Sequence, residues 1–257
     1  MSLLENLTDE EIKQLLSNFL KTEKSLTKSD KMISVDVIAS MIDHTLLKPE
    51  ATQKEIEQLC EEAIKHNFAS VCINPSYVSF CFDKIKSSSV RVCTVIGFPL
   101  GATTTQTKVT EAEEAVKNGC EELDMVINVG KLKDKDYNFI FNDVKSVADL
   151  AKKYMCKLKV ILETCLLTDE EKVAACLISK EAGADFVKTS TGFSKEGATV
   201  HDVALMKYIV GDNLGVKASG GIRTYDDAVN MINAGASRLG ASAGVKIISN
   251  QESESNY

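Results

Sequence analysis

The sequence predicts an α/β fold, a (β/α)8 TIM barrel with an additional N-terminal helix, on three observations. Eight short apolar runs alternate with longer amphipathic segments from residue 40 onward. The amphipathic segments begin with N-cap signals, such as Thr52 with Glu55. Gly119, Gly183 and Gly235 come just before strands, where a left-handed glycine ends a helix. Such alternation forms a parallel sheet, which closes most economically into a barrel; an open doubly wound sheet is the alternative.

The predicted elements divide the chain into three parts. A barrel domain spans 32–248, and its strands are predicted at 40–43, 69–73, 92–97, 122–127, 158–162, 185–188, 215–218 and 238–241. Residues 1–31 form an N-terminal extension whose apolar residues at helical spacing predict a helix, followed by a linker over 21–31: Ile12, Leu15, Leu16, Phe19 and Leu20. We expect this helix to cover the bottom of the barrel or to make a subunit contact. Residues 249–257 are polar and are predicted to form a flexible C-terminal tail that ends in Tyr257.

Composition and charge exclude several classes of protein. The net charge of −7 and the pI of about 5.2 argue against nucleic-acid and anionic-membrane surfaces, because neither partner is attracted to an acidic protein. No run of 18 apolar residues occurs, so we expect no membrane span. The eight cysteines lack the spacing of a disulfide or zinc framework, and the acidic start of the chain is unlike a signal peptide, so a cytoplasmic location is expected.

Three lysines lie inside consecutive predicted strands: Lys159, Lys188 and Lys217. A buried, unpaired ammonium group is costly, and clustered ammonium groups disfavour one another's charge, which would leave one lysine as a neutral amine able to attack a carbonyl. The alternative is that each lysine extends to solvent or pairs with a carboxylate such as Asp124. Because the active sites of such barrels lie at the carboxyl ends of the strands, the pattern favours a nucleophilic lysine there.

Small residues follow the last three predicted strands. Thr189 to Gly192, Ser219 to Gly221, and Gly240 to Ser242 supply backbone N–H groups that an anion can approach closely. The loops after strands seven and eight are the usual phosphate site of this fold. The sequence therefore predicts a phosphate-bearing substrate, although a lone Gly-Gly pair is also a common tight turn.

Seven motifs resemble the deoxyribose-phosphate aldolase family, in order from about residue 40 to residue 245. They are MIDHTLLKP (41–49), CINP (72–75), VIGFPLG (95–101), ELDMVINVG (122–130), LKVILET (158–164), FVKTSTGF (186–193) and VKASGGIRT (216–224). The resemblance implies a class I aldolase that needs no cofactor and reversibly cleaves 2-deoxy-D-ribose 5-phosphate to D-glyceraldehyde 3-phosphate and acetaldehyde. The phosphosugar would be a small-molecule partner of a chain that could form a homodimer or a higher homo-oligomer.

The resemblance also implies a role for each site residue. Lys188 would form the Schiff base, and Lys217 would favour the neutral form of Lys188. Asp124 with Lys159 would serve as the general acid and base. Tyr257, at the end of the tail, would exchange a proton with the enamine. The remaining residues would bind substrate: Asp43, Thr45, Thr191, Gly192, Gly220, Gly221, Arg223, Gly240 and Ser242.

Two other functions stay open on the sequence alone. A different Schiff-base barrel, such as a transaldolase-like or fructose bisphosphate aldolase-like enzyme, would share the lysine but need a different acid and base. A phosphosugar-binding barrel without catalysis would keep the loops only. The three histidines (His44, His66 and His201) are scattered along the chain, and no zinc site is expected, which argues against a metal-dependent class II aldolase.

Overall fold

Eight parallel strands close into a barrel in chain order, as the sequence predicts. A computed structural model describes residues 7–23 and 32–252. The strands are β1 (Ile42–Leu46), β2 (Ser70–Ile73), β3 (Arg91–Ile96), β4 (Glu122–Val126), β5 (Lys157–Ile161), β6 (Phe186–Lys188), β7 (Gly215–Ser219) and β8 (Arg238–Ala241). Each strand pairs with its neighbours in sequence and β8 pairs with β1, so the open doubly wound sheet is excluded.

The helices surround the barrel, and the predicted capping signals begin several of them. The described α-helices are α1 (Asp9–Glu23), α2 (Val35–Ala39), α3 (Gln53–Lys65), α4 (Val78–Ile85), α5 (Thr105–Lys117), α6 (Val129–Lys133), α7 (Tyr137–Lys153), α8 (Asp169–Glu181), α9 (Val200–Val210), α10 (Tyr225–Asn233) and α11 (Gly244–Glu252). Thr52, Thr168 and Thr224 each form a capping box with the residue three positions on. Each box satisfies backbone N–H groups that would otherwise lack a partner at the helix start.

The first strand begins later than the sequence predicts. Ser40 is the C-cap of the short helix α2: its backbone N–H donates to the carbonyl oxygen of Asp36, and the N–H of Met41 donates to that of Ile38. Pairing with β8 therefore starts at Ile42 and pairing with β2 starts at Asp43, so β1 covers 42–46 instead of 40–43. The consequence is that Asp43 lies near the amino end of β1 and not after its carboxyl end.

Strand alternation separates an apolar outer layer from a polar interior. In β4, Leu123 and Met125 pack in the hydrophobic core between strands and helices, whereas Glu122 and Asp124 point into the barrel. Successive side chains of a strand face opposite sides, so one strand supplies both layers. The outer layer holds the helices, and the inner layer is free to carry charged groups.

Helix α1 packs against the side of the barrel, where it contacts α8 and α9. The expectation that it covers the bottom of the barrel is therefore wrong. Its apolar stripe buries Ile12 and Phe19, and the ring of Phe19 meets those of His201 and Tyr208 on α9 at 5.6 Å between centroids. The stripe settles there because α8 and α9 offer apolar surface that would otherwise face water.

The chain termini differ in part from the prediction. Helix α11 continues to Glu252, and the Ser249 hydroxyl donates to the carbonyl oxygen of Val245, so 249–252 are helical and do not form the start of a tail. Lys21 to Glu23 likewise belong to α1 and not to the linker. The rest of the linker (24–31) and residues 253–257, Tyr257 included, lie outside the described residues. In the described part of the chain, no helix combines the length and the apolarity needed to cross a membrane.

The attachment of α1 should weaken as the pH rises. His201 contacts Glu23 of α1 (Nδ1 to Oε1, 2.7 Å) and Asp169 of α8 (Nε2 to Oδ2, 3.0 Å). Burial opposes the charged imidazole, but these carboxylates outweigh it and raise the pKa of His201. A raised folded-state pKa gives stability that is complete below about pH 6.5 and is lost as the pH passes through the raised value.

We therefore expect amide-exchange protection factors in α1 to fall between pH 6 and pH 9, by a factor equivalent to about 1 kcal/mol or less because the pair is partly exposed. Hydrogen exchange followed by mass spectrometry measures the change. The variant His201→Gln is the control and should lack this pH dependence. Equal protection at both pH values in the wild-type protein would contradict the prediction.

Candidate active site

Asp124 lies at the centre of the barrel and binds all three strand lysines. Its Oδ2 accepts from Lys188 at 2.8 Å and from Lys217 at 2.6 Å, and its Oδ1 accepts from Lys159 at 2.8 Å. The strand register produces this arrangement, since Lys159 lies opposite Asp124 and Lys188 lies opposite Lys217. The carboxylate pairing that the sequence left as an alternative is thus present, and it involves all three lysines at once.

A second group of charges lies directly below this centre. Asp43 contacts Lys217 (Oδ2 to Nζ, 2.5 Å) and Arg238 (Oδ1 to Nη1, 2.7 Å), and it accepts a hydrogen bond from the Ser70 hydroxyl at 2.7 Å. Glu122 accepts from two nitrogens of Arg238 at 2.8 and 3.2 Å. Lys159 joins the two groups, because its Nζ is 2.7 Å from Glu122 Oε2 and 3.7 Å from Asp43 Oδ2.

We call these seven side chains the charge network: Asp43, Glu122, Asp124, Lys159, Lys188, Lys217 and Arg238. All seven residues are buried, with at most 8% of the surface of any one exposed. Buried charges are tolerated only when opposite charges lie at close range, and each of the three carboxylates contacts at least two of the basic side chains.

The carboxylates keep two of the three lysines charged, and the expectation that clustering leaves one lysine as a neutral amine stays a prediction for the third. Burial favours the neutral amines, but Asp124 and its neighbours outweigh burial and raise the pKa of Lys159 and of Lys217. Burial also opposes the ionised carboxylates, and the surrounding lysines instead hold the pKa of Asp124 well below its ordinary value. Asp124 is therefore a carboxylate that can accept a proton.

Two buried thiols adjoin Asp124. The Cys93 thiol donates to Asp124 Oδ1 at 3.2 Å and accepts from Lys159 Nζ at 3.3 Å. Ligand atoms of Cys72, Cys93 and Asp124 lie within 4.8 Å of one another, a spacing that a metal ion could bridge. The Asp124 oxygens already contact three lysine side chains, however, and the positive charges of Lys159 and Lys217 disfavour a cation at this position.

A cavity of about 420 Å³ opens above Lys188 at the carboxyl ends of the strands. Eight of the nine residues that were expected to bind substrate line it: Thr45, Thr191, Gly192, Gly220, Gly221, Arg223, Gly240 and Ser242. The ninth, Asp43, lies below the cavity floor in the charge network, because β1 begins at Ile42. The expectation that Asp43 lines the pocket is therefore wrong.

Two loops at the cavity rim are held together by backbone contact. Gly220 and Gly221 have φ values of +84° and +82°, in the left-handed region that favours glycine. The N–H of Ala198, in the loop after β6, donates to the carbonyl oxygen of Gly220 at 3.0 Å. A Cβ on Gly197 would lie 2.2 Å from that oxygen, so the close approach of the loops requires glycine there.

Glu163, two residues after the end of β5, holds the loop after β6 in place. It has φ +58° and accepts from the hydroxyl and the N–H of Thr191. The Thr191 hydroxyl oxygen in turn accepts from the N–H of Phe193 at 3.0 Å. A glutamate in the left-handed region is strained, and its buried contact with Thr191 is the compensating interaction visible in the described residues.

Sequence reasoning missed four of the residues that build this site: Glu122, Arg238, Cys93 and Glu163. Glu122 had a usable signal, because it stands two positions before Asp124 and must share its face of β4. Arg238 stands at the first position of β8, where its partners come from β1 and β4. His44, which follows Asp43 in the sequence, faces outward and contacts Glu62 on α3 at 2.7 Å.

The barrel as a whole matches a known protein family. A family model described as DeoC/LacD family aldolase matches residues 37–250, which includes all eight strands. The chain belongs to this aldolase family. Its members catalyse aldol chemistry, so this chain is a carbon–carbon lyase. The resemblance seen in the sequence is therefore confirmed.

The aldolase is similar to known deoxyribose-phosphate aldolases over most of its length. It is 58% identical to the deoxyribose-phosphate aldolase of Caldanaerobacter subterraneus subsp. tengcongensis over 89% of this chain and 96% of the relative. It is 61% identical to that of Thermoanaerobacter sp. over 82% of this chain and 95% of the relative. The tetrameric deoxyribose phosphate aldolase structure from Aeropyrum pernix matches with a TM-score of 0.82 and 35% identity, over 88% of this chain and 95% of that one.

We expect Asp43→Ala to lower the free energy of unfolding by about 3–5 kcal/mol, because it leaves Lys217 and Arg238 with an uncompensated buried charge. Urea denaturation followed by circular dichroism measures the change. Ser70→Ala removes only the neutral partner of Asp43 and should cost about 1 kcal/mol. Equal costs for the two variants would contradict this account of the network.

Proposed function

We propose that this aldolase reversibly cleaves 2-deoxy-D-ribose 5-phosphate to D-glyceraldehyde 3-phosphate and acetaldehyde through a Schiff base on Lys188. One observation carries the proposal: Lys188 ends β6 at the floor of the cavity, and its Nζ shares the Asp124 oxygen with Lys217. Lys188 as nucleophile and Lys217 as a fixed positive charge thus both contact Asp124, which can act as the base. The relatives named above support the choice of substrate.

The reaction begins at the aldehyde carbon of the open-chain sugar. The Lys188 amine attacks C1, a C–N bond forms, and loss of water from the carbinolamine leaves an iminium ion. Asp124, through a water molecule, then accepts the proton of the C3 hydroxyl. As the C3 carbonyl forms, the C2–C3 bond breaks and its electron pair moves into the C1–C2 bond, while the iminium nitrogen takes up the displaced pair.

The second half of the reaction releases acetaldehyde. Glyceraldehyde 3-phosphate leaves, C2 of the enamine takes a proton, and water hydrolyses the iminium to acetaldehyde and free Lys188. Lys159 and Lys217 hold Asp124 ionised between turnovers, since both contact its oxygens. The proton donor to C2 is the role expected for Tyr257, which stays a prediction because that residue lies outside the described range.

The rim of the cavity supports recognition of the phosphate. Gly192, Gly220, Gly221, Gly240 and Ser242 line the cavity together with Arg223, and small residues of this kind let an anion approach their backbone N–H groups. These groups lie at the opening, whereas Lys188 lies at the floor, so a five-carbon chain would place its aldehyde and its phosphate at opposite ends of the cavity. The position of Asp124 beside the lysine is the feature that favours this aldolase over a transaldolase-like enzyme.

Two coarser proposals accompany the reaction. We propose that the chain forms a homo-oligomer, as its tetrameric relative from Aeropyrum pernix does, and sedimentation equilibrium tests this. We also propose a cytoplasmic location, because all eight cysteines are free thiols.

Lys188→Ala is expected to abolish turnover, by about 10⁴-fold or more, because it removes the nucleophile. Reductive trapping of acetaldehyde, followed by peptide mass mapping, should lose its label at the same time. Lys157→Ala is the matched control, since it removes a strand lysine outside the charge network, over the ring of Phe186. Trapping at wild-type yield in Lys188→Ala would refute the proposal.

Gly221→Val is expected to raise KM for the phosphorylated sugar about 10-fold or more relative to unphosphorylated deoxyribose, because its side chain blocks backbone approach to the anion. Gly183→Val is a matched control for backbone strain. Its φ of +89° is similar, a Cβ added at either glycine would meet no atom within 4 Å beyond its chain neighbours, and Gly183 precedes β6 away from the cavity. Steady-state kinetics with both substrates decides the question, and equal effects on both would indicate a folding defect.

A further inference from the structure

We propose that Glu122 and Arg238, on the side of the charge network away from the cavity, determine whether Lys188 is charged and so set the pH range of Schiff-base formation. The inference deepens the proposed function and rests on it. Neither side chain lines the cavity, so both are positioning residues that act through Asp43, Asp124 and Lys159.

The buried charges do not balance if every lysine is protonated. The network contains three carboxylates, from Asp43, Glu122 and Asp124, against four basic side chains, all buried. If three of the basic groups are charged, the network is neutral, and a fourth charge would be uncompensated in the barrel interior. One basic side chain is therefore expected to be a neutral amine.

Contact geometry identifies Lys188 as the surplus group. Lys217 contacts both Asp43 and Asp124, and Lys159 contacts all three carboxylates. Arg238 contacts Asp43 and Glu122. Lys188 contacts only Asp124 among the described carboxylates, through an oxygen that it shares with Lys217.

The pKa directions agree with this assignment for the other members. Burial opposes their charged forms, but opposite charges raise the pKa of Lys217 and of Arg238 and lower the pKa of Asp43 and of Glu122. These groups therefore stay ionised at neutral pH and form the balanced set. The charge of the whole set, and not Lys217 alone, acts on Lys188.

Other titratable groups face the network but do not change the comparison. The thiols of Cys72 and Cys93 adjoin Asp124 from β2 and β3, and burial raises the pKa of Cys93 well above its ordinary value. Glu163 bonds to Thr191 in the loop above and has no contact with the network among the described residues. All three are present in every variant below, so their influence cancels.

The experiment measures Lys188 trapping by acetaldehyde and cyanoborohydride as a function of pH in intact full-length enzyme. Arg238→Met removes a positive charge, which stabilises the Lys188 ammonium ion, so the acid limb of the profile should move upward by about one pH unit. Glu122→Gln removes a negative charge, which destabilises that ammonium ion, so the limb should move downward by a similar amount. A purely structural defect would lower the yield of trapped Lys188, but it would not shift the acid limbs of the two variants in opposite directions.

Two further variants make the test decisive. The double variant Glu122→Gln/Arg238→Met leaves two carboxylates and two charged lysines, so its midpoint should return to the wild-type value. Arg91→Gln removes a cation that contacts the same Glu122 at 3.1 Å but is 46% exposed, and solvent should limit its shift to less than about 0.3 pH unit. Circular dichroism confirms that each protein is folded, and the Glu122→Gln and double variants decide the question if Arg238→Met does not fold.

The outcomes separate this inference from the proposed function. Opposite shifts of the two single variants, with restoration in the double variant, support the inference. If the pH midpoints of the two single variants stay at the wild-type value, or both shift in the same direction, the inference is overturned. If wild-type enzyme gives no label on Lys188 at any pH, the proposed function itself is wrong.

Discussion

Compensation of buried charge is the constraint on which the rest of this molecule depends. A barrel interior is closed to water, so each ionised group inside it must find an opposite charge within contact distance. Asp124 contacts three lysines at once, and Asp43 and Glu122 compensate Arg238. The position proposed for the Schiff base follows the same constraint, because Lys188, at the cavity floor, is the basic group with the fewest carboxylate contacts.

The barrel supplies the geometry that makes such a network possible. Strand alternation separates the two layers, so that Leu123 and Met125 hold β4 against the helices while Asp124 faces inward. Parallel register brings Lys188 beside Lys217 and Asp124 beside Lys159 without any long or flexible segment. A rigid scaffold keeps side chains within the few tenths of an ångström that proton transfer and nucleophilic attack require.

The two ends of the site use different physics. At the floor, buried side chains carry charge in an environment of low dielectric constant, where each electrostatic contact is strong. At the rim, glycines such as Gly220 have no side chain to keep a ligand away from the backbone. A hydrogen bond between the loops after β6 and β7 fixes the positions of these loops. Glu163 adds a strained but hydrogen-bonded connection from the loop after β5 to Thr191 in the loop after β6.

The sequence by itself determined the barrel, the three lysines, Asp124 and the small-residue loops, because each depends on local pattern: strand period, helix caps and the residues just after a strand. Tertiary structure decided which charges meet. Asp43 was expected at the pocket, but the end of α2 at Ser40 places it one layer lower, and Arg238 reaches it only because β8 closes onto β1. Helix α1 was predictable from its apolar stripe, whereas its place on α8 and α9 depended on surface that those helices leave uncovered. Local pattern fixes which face a side chain occupies, but contacts between residues almost 200 positions apart, such as Asp43 and Arg238, exist only after the barrel has closed.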